Sequence, residues 1–214
     1  MDFTIIGAGN MGRGIATRLV SGGNSVVIMD RDNAEANKLA EELRPAAKAN
    51  GSASAAAMGS PIHSEAVILA IYYSSVPTIL AQYGDALAGK IIVDITNPLN
   101  ASFDDLATPP GSSGAEEIAK IAPPSAKVVK AFNTTFAGTL VSGKVAGQSL
   151  DVFIAGDDAQ AKQQLAQAFS ASGLRPIDTG PLRRARQLEG IGLLHITLQG
   201  TLGTHWGSAV KILP

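Results

Sequence analysis

The first twenty residues constrain the fold more than any other part of the chain. A short apolar, β-branched run at residues 3–6 predicts a buried strand, and it leads directly into the spacing Gly-x-Gly-x-x-Gly at Gly7, Gly9 and Gly12. Apolar residues then recur at helical spacing over residues 15–20. The alternative is a glycine-rich turn without a ligand. A strand, this turn and a helix in direct succession favour a dinucleotide-binding βα unit instead.

Each glycine has its own task in such a unit. Gly7 permits the tight turn, Gly9 lets the pyrophosphate approach the backbone, and Gly12 lets the helix pack closely. The first N–H groups of the helix point at the phosphates, with the positive end of the helix dipole behind them. The predicted cofactor-binding residues of this loop are Gly7, Ala8, Gly9, Asn10, Met11 and Gly12.

Composition narrows the class of protein. The 214 residues are 45% hydrophobic and 16% charged, which is typical of a globular chain of one domain, or of one domain with an appendage. The net charge of −1 does not favour a nucleic-acid partner, and the absence of cysteine excludes disulfides and thiolate chemistry. We expect no membrane segment and no leader before the first strand, and therefore a cytoplasmic protein.

Further apolar runs predict the remaining strands, at residues 25–30, 66–71, 90–95, 128–132 and 152–155, with a short edge strand at 175–178. Helical patterns lie between them, at residues 34–43, 76–87, 115–121 and 159–169. Residues 46–60 predict a third strand that the pattern does not place, and residues 99–112 a long loop. The alternation predicts an α/β fold of the Rossmann type, with a doubly wound, mostly parallel sheet. We expect a dinucleotide-binding domain over 1–180 and a C-terminal helical segment over 181–214.

Ligands of such a sheet lie outside the carboxyl ends of its strands. Asp30 follows Gly12 by 18 residues, close to the spacing of the carboxylate that binds the ribose 2′-hydroxyl of NAD. Arg31 could instead bind the 2′-phosphate of NADP, so the residues leave both cofactors open. The other strand-end residues predicted to bind the cofactor are Ala70, Ile71, Tyr72, Asn97 and Pro98.

The last segment carries three further patterns. The arginines at 183, 184 and 186 are solvated residues or, alternatively, a site for an anionic tail of the hydride acceptor. An apolar stripe predicts packing against the domain or against a second subunit, and from it we expect a homodimer. The stripe consists of Leu188, Ile191, Leu194 and Leu198.

No metal site and no catalytic acid or base is predicted. We expect His63 to lie at the surface, and His195 and His205 to be packing residues. None of these histidines has metal-ligand spacing with a third ligand nearby.

Three further segments, residues 94–99, 128–134 and 180–189, together with the glycine loop resemble the coenzyme F420-dependent NADP oxidoreductase family. That family is similar to the cytosolic reductase domain of the six-transmembrane ferric reductases. The resemblance implies bound NADP and hydride exchange with F420 or a flavin. Asp30 stands where members usually have serine, and Asn133 where the F420 reductases carry histidine. The residues expected to hold the acceptor ring are Asn133, Thr134 and Thr135.

Two other functions stay open from the sequence. An NAD(P)-dependent dehydrogenase or imine reductase for a small organic substrate would need a proton donor, for which Lys130, Tyr72 and Tyr73 lie near strand ends. A non-catalytic nicotinamide sensor would need none. Hydride transfer between two ring systems also needs little acid–base help, since the cofactors carry the chemistry.

Overall fold

The computed structural model describes residues 1–47 and 50–213, and its strands follow the predicted order. They are β1 (Asp2–Ile6), β2 (Ser25–Met29), β3 (Ser52–Ala55), β4 (Ala66–Leu69), β5 (Ile91–Asp94), β6 (Lys127–Lys130), β7 (Lys144–Val145), β8 (Gln148–Ser149), β9 (Asp151–Gly156) and β10 (Arg175–Gly180).

The helices connect these strands. They are α1 (Asn10–Ser21), α2 (Asn33–Leu43), α3 (Val76–Tyr83), α4 (Gly114–Ile121), α5 (Ala137–Ser142), α6 (Ala159–Ala171), α7 (Ala185–Thr197) and α8 (Gln199–Leu202). Short 3₁₀ turns occupy Arg44–Ala46, Tyr73–Ser75, Gly84–Leu87 and Leu182–Arg184. Within the described residues no helix is long and apolar enough to cross a bilayer.

Eight strands form one sheet in the order β10-β9-β6-β5-β4-β1-β2-β3. The six strands from β3 to β6 are parallel, β9 runs antiparallel to β6, and β10 runs parallel to β9 at the sheet edge. The strand order reverses between β1 and β4, and in sheets of this type the ligand crevice lies at that point, outside the carboxyl ends of the strands. The predicted Rossmann-type sheet is confirmed, and so is the edge position of the proline-containing strand.

Helices cover both faces of the sheet. Residues that alternate along one strand enter different cores: Ile5 packs with α1, α2, α5 and α6, whereas its neighbour Ile6 packs with α3 and α4. This is the arrangement that a doubly wound sheet requires, because each strand buries both of its faces.

The sequence pattern did not place one strand and did not predict one hairpin. The third strand is β3, which pairs with β2 and consists of alanine and serine, so its small side chains gave no hydrophobic pattern. The β7–β8 hairpin turns through Ala146 and Gly147, which both have positive φ. A two-residue turn of this kind usually carries asparagine or glycine first, and alanine concealed it.

The buried face of α7 combines apolar and polar residues and coincides only in part with the predicted apolar stripe. Leu188 is buried, but Leu194 is 59% exposed and Leu198 37% exposed. Polar side chains can replace the leucines there because they are hydrogen-bonded. The buried residues of α7 are Ala185, Leu188, Glu189, Gly192 and His195.

The histidines separate into two environments. His195 stacks on Phe136 with ring centroids 4.2 Å apart, and its two ring nitrogens lie within hydrogen-bond distance of the Thr134 carbonyl and the Ser208 hydroxyl. Burial lowers the pKa of His195. His63 is exposed as predicted, whereas the expectation that His205 is a packing residue was wrong, because its side chain is exposed.

Candidate functional site

The glycine loop is fixed by close backbone contacts. A Cβ at Gly7, whose φ is +114°, would lie 2.2 Å from the carbonyl oxygen of Ala70, at the end of β4. A Cβ at Gly12 would lie 2.0 Å from the carbonyl oxygen of Gly7. No side chain fits either space, so both glycines are required to bring α1 against the loop and the loop against β4.

Gly9 differs from these two glycines because its Cβ position faces open space. No atom lies within 4 Å of that position, and Gly9 caps α1 without a side-chain hydrogen bond. The N–H groups in the first turn of α1, at Asn10 and Met11, are therefore available to an anion together with the helix dipole. An open cradle at a glycine and an uncapped helix N-terminus fit the pyrophosphate of a dinucleotide.

Asp30 supports the glycine loop from the neighbouring strand. Its Oδ2 accepts a hydrogen bond from the Ala8 N–H at 2.7 Å, and its Oδ1 accepts one from the Asp32 N–H at 2.9 Å. Asp32 then caps α2 by accepting from the Ala34 N–H at 2.9 Å. A carboxylate can accept further bonds, so Asp30 keeps the capacity to bind a ribose hydroxyl. Arg31 beside it is exposed and forms no ion pair among the described residues.

The ends of β4 and β5 bring further predicted residues to this edge. The Ala70 N–H donates to the Ile6 carbonyl at 2.8 Å, which fixes the end of β4 beside the glycine loop. Ile71 is half-buried, and the ring of Tyr72 is 85% exposed. Pro98 is buried and packs 3.3 Å from the Cβ position of Gly114, at the start of α4.

Asn97 and Asn133, at the ends of β5 and β6, bind each other. Asn97 Nδ2 donates to the Asn133 carbonyl at 2.8 Å, and Asn133 Nδ2 donates to Asn97 Oδ1 at 2.9 Å. Asn133 Nδ2 also donates to the Leu188 carbonyl of α7 at 2.8 Å. A Cβ at Gly192 would lie 2.4 Å from Asn97 Oδ1, so this glycine allows α7 to lie directly on the pair.

The other two residues expected to hold the acceptor ring serve the backbone turn after β6. Thr135 donates to the Phe132 carbonyl through both its N–H, at 3.0 Å, and its Oγ1, at 2.7 Å. These bonds stabilise Phe132 at a φ of +62°, an uncommon conformation for a bulky residue. The Thr134 carbonyl lies 3.3 Å from the His195 ring. Both threonines are buried, and their role toward a ligand stays a prediction.

A buried ion cluster lies beneath the site, and sequence reasoning missed its role. Lys130 is fully buried, and its Nζ donates to Asp94 Oδ2 at 2.7 Å, to Glu189 Oε1 at 2.8 Å and to the Thr96 carbonyl at 2.5 Å. All three N–H groups of the ammonium are therefore occupied. A lysine and an aspartate that end adjacent buried strands were the signal for this pair.

Glu189 connects this cluster to α4. Its carboxylate accepts hydrogen bonds from the Gly114 N–H at 2.9 Å and the Ala115 N–H at 3.3 Å, and so caps that helix. Burial raises the pKa of Glu189, and Lys130 opposes that shift. Burial and the nearby carboxylates, Glu117 first, raise the pKa of Tyr73 above its ordinary value. Among the described residues there is no group of acidic or histidine side chains arranged to hold a metal.

The loop at residues 99–112 follows β5 at the same edge. Asn100 organises its first half: Nδ2 donates to Asp104 Oδ1 at 2.7 Å, and Oδ1 accepts from the Asp104 N–H at 3.1 Å. Phe103 at the tip is 62% exposed, with a φ of +60°. The loop is therefore ordered by its own contacts and presents an aromatic side chain to solvent.

The arginines of the last segment lie away from the glycine loop. Arg186 forms a two-pronged pair with Glu116, with nitrogen–oxygen distances of 2.8 and 2.6 Å. Arg183 lines a cavity of about 590 Å³ between α4 and the end of β10. Because β9 and β10 run opposite to β6, that end lies at the amino ends of the parallel strands. Arg186 is thus accounted for by its ion pair, which favours the interpretation as ordinary surface arginines.

The chain is similar to two groups of reductases. The family described as NADP oxidoreductase, coenzyme F420-dependent, matches residues 2–98. The F420-dependent NADP reductase of Methanocaldococcus jannaschii is 30% identical over 208 residues, which cover 90% of this chain and 89% of that protein. Metalloreductase STEAP3 of Rattus norvegicus is 35% identical over 192 residues, which cover 88% of this chain but only 36% of that protein.

A solved structure extends this likeness to the whole fold. The crystal structure of a putative F420-dependent NADP reductase from Arthrobacter sp. FB24 superposes with a TM-score of 0.84 at 32% identity, and 99% of each chain is covered.

Proposed function

The chain belongs to the family of F420-dependent NADP reductases and is an NADP-dependent oxidoreductase, and on that premise we propose that it transfers a hydride between NADP(H) and the ring of a deazaflavin such as F420 or of a flavin. When bound, the nicotinamide and the acceptor ring supply the redox chemistry themselves. The chain has to bind both, align them and exclude water.

One observation carries this proposal over a reaction that needs protein acid–base chemistry: Lys130 is enclosed. Its ammonium is fully buried and donates to three acceptors, so it has no free N–H for a substrate. Lys130 therefore acts as a structural cation beneath the strand ends. A reaction between two ring cofactors is compatible with that arrangement, since it does not require a proton from the protein.

The residues that would hold the dinucleotide divide by position. The glycine loop and the first turn of α1 would bind the pyrophosphate through backbone N–H groups. Asp30 and Arg31 would meet the adenosine ribose and its 2′ substituent, while Ala70, Ile71 and Tyr72 would line the path between the two ends. Asn97 and Pro98 at the end of β5 would face the nicotinamide, and Asn133, Thr134 and Thr135 at the end of β6 the acceptor ring.

A second candidate rests on the exposed hydroxyl of Tyr72. A dehydrogenase or imine reductase for a small organic substrate needs a proton donor near the nicotinamide, and Tyr72 is 85% exposed at the correct edge. Tyr72→Phe would abolish turnover of such a substrate but leave reduction of a flavin intact. If the wild type and Tyr72→Phe turned over carbonyl and imine substrates equally well, this candidate would be excluded.

The experiment that tests the leading proposal is anaerobic oxidation of NADPH and NADH with F420, FMN, FAD or no acceptor. We expect rapid oxidation with F420 or with one of the flavins, and slow oxidation without an acceptor. Nicotinamide binding without turnover of any acceptor would contradict the proposal and favour a sensor. The NADPH to NADH ratio reports whether Arg31 or Asp30 dominates at the ribose.

The homodimer stays a hypothesis that now rests on the exposed face of α7 and α8. Leu194, Leu198 and Leu202 lie at helical spacing and are exposed on the single chain. Burying such leucines against a second copy would remove apolar area from water. Light scattering should give twice the chain mass of 21.9 kDa for the wild type and a single chain for Leu194→Gln/Leu198→Gln. A monomeric wild type would contradict the hypothesis.

A further inference from the structure

Asn133 has one polar atom without a partner. The side chain is 5% exposed, and its Nδ2 donates both hydrogens, to Asn97 Oδ1 at 2.9 Å and to the Leu188 carbonyl at 2.8 Å. Its Oδ1 is buried and has no hydrogen-bond partner among the described residues. A buried oxygen in that state is destabilising and requires an explanation, of which a ligand or an ordered water are the usual ones.

The orientation of this carboxamide is determined by its neighbours. Asn97 Nδ2 donates to the Asn133 backbone carbonyl at 2.8 Å, so Asn97 must turn its own oxygen toward the Asn133 side chain. The Leu188 carbonyl is a second group that only accepts. Rotating the Asn133 amide by half a turn would place its oxygen against two oxygens. The nitrogen therefore stays with these two acceptors, and the buried oxygen is left without a partner among the described residues.

The position of Asn133 agrees with the ring end of the cofactor. A dinucleotide whose phosphates lie at Gly9 and whose adenosine ribose lies at Asp30 extends its nicotinamide over the ends of β4, β5 and β6. Thr96, at the end of β5, has a buried Oγ1 that also has no partner among the described residues. Two adjacent strand ends thus each carry a buried polar atom without a partner among the described residues, at the carboxyl edge of the parallel strands.

We propose that Asn133 Oδ1 accepts a hydrogen bond from an N–H on the edge of a ring bound in the site, and that the site therefore selects rings that carry such a donor. This inference rests on the proposed function and narrows it. Asn133 has no hydrogen left to donate, so it cannot bind a ring carbonyl. The N–H belongs either to the nicotinamide carboxamide or to the pyrimidine ring of the deazaflavin or flavin, and both are amide-type donors.

Two analogues distinguish these sources. The 3-acetylpyridine analogue of NADPH replaces the carboxamide NH₂ by a methyl group, and N3-methyl FMN lacks the ring N–H. We expect the wild type to bind one analogue about tenfold more weakly than its parent, with the Kd measured by calorimetry for the nucleotide and for the flavin alike. Asn133→Leu is similar in size but cannot accept, so it should bind that analogue and its parent equally.

A matched control separates recognition from folding. 2′-Phospho-ADP-ribose lacks the nicotinamide and engages only the phosphate and ribose contacts, so its Kd should be the same for both proteins. If Asn133→Leu does not fold, Asn133→Ala replaces it. The wild type's affinities for each analogue and its parent test the proposal without either variant. A wild type that binds both analogues as tightly as their parents overturns the proposal, as does equal discrimination by wild type and variant. The nucleotide Kd values need no turnover, so a failure of the proposed hydride transfer is read separately.

Discussion

The two halves of the site are built in opposite ways. The phosphate half consists of residues 7–12 and Asp30, and it presents backbone N–H groups around an open space at Gly9. The ring half consists of Asn97, Lys130, Asn133, Glu189 and Gly192, and its buried and half-buried side chains are joined by hydrogen bonds. Its partners are distant in sequence: Asn97 and Asn133 are 36 positions apart, and Lys130 and Glu189 are 59 positions apart.

Because of this difference, substitutions should damage the two halves in different ways. In the loop of the phosphate half the proposed ligand contacts are main-chain groups, so substitutions at residues 7–12 damage it by filling space or by moving the backbone. In the ring half the charged groups of Lys130, Asp94 and Glu189 are buried and paired with one another, so the loss of one member leaves another uncompensated. Substitutions in the phosphate half should therefore lower cofactor affinity, and substitutions in the ring half should lower the free energy of unfolding.

The largest effect is expected from Gly12→Ala. Its Cβ would lie 2.0 Å from the Gly7 carbonyl oxygen, so α1 must move and the N–H groups lose their aim at the phosphates. We expect NADPH affinity to fall about 100-fold by calorimetry, together with a loss of thermal stability.

Gly9→Ala is the matched control for Gly12→Ala. No atom lies within 4 Å of its Cβ, so the unfolding free energy should stay within about 0.5 kcal/mol of the wild type. NADPH affinity should nevertheless fall, because the methyl group occupies the space assigned to the pyrophosphate. Wild-type affinity in Gly9→Ala would show that the phosphates bind elsewhere.

Lys130→Met should have the largest effect in the ring half. It leaves Asp94 and Glu189 buried without their cation, and we expect a loss of about 3–5 kcal/mol in urea unfolding. Lys127→Met on the same strand removes a half-buried pair with Asp158 and should cost about 0–1 kcal/mol. A stable Lys130→Met that binds NADPH but does not turn over would instead favour the proton-donor role.

The phosphate half could be predicted from the sequence, whereas the ring half could not. The glycine loop is contiguous, and each of its contacts depends on the backbone and on the absence of a Cβ, so a spacing of three glycines was sufficient. Asp30 was placed at the right edge, but its bond to the Ala8 N–H could not be read from its spacing.

The ring half could not be predicted because its signal is tertiary. Glu189 lies within the segment that carried the family resemblance, yet nothing in the local pattern of α7 distinguishes a buried glutamate from a solvated one. Hydrophobic periodicity identified only part of the buried face, since Leu194 is exposed on the single chain while Gly192 and His195 are buried. Polar residues that are buried because they are paired are invisible to a pattern that only counts apolar ones.

Asp30→Ser tests whether the charge of Asp30 affects the preference for NADPH over NADH. In the proposed arrangement the Asp30 carboxylate lies beside the adenosine ribose and repels a 2′-phosphate, so its removal should raise the ratio of kcat/KM for NADPH over NADH about tenfold. Loss of the bond to the Ala8 N–H weakens the loop for both nucleotides equally, so the ratio isolates the charge. Arg31→Gln should move the ratio in the opposite direction. An unchanged ratio in both variants would place the 2′ substituent away from this strand end.

The smallest effect is a pH dependence in the ring half, where a charge is held out of water. Because burial raises the pKa of Glu189, the folded protein binds that proton more tightly than the unfolded chain. Wild-type stability should therefore fall as pH rises from the ordinary glutamate pKa through the raised one, and the fall should be smaller than the loss in Lys130→Met. Glu189→Gln removes this dependence, so the variant should gain relative to the wild type over that range.

Glu117, on α4, should give a pH dependence of stability with the opposite sign. Hydrogen bonds from Lys120 and Ser112 lower its pKa, so the stability that Glu117 contributes is present above the ordinary glutamate pKa and is lost as pH falls. Glu117→Gln should therefore fall further behind the wild type as pH rises, while Glu189→Gln catches up, in urea unfolding measured from about pH 4 to about pH 8. If both variants followed the same slope, Glu189 would be an ordinary paired carboxylate, and the claim that burial dominates in the ring half would be wrong.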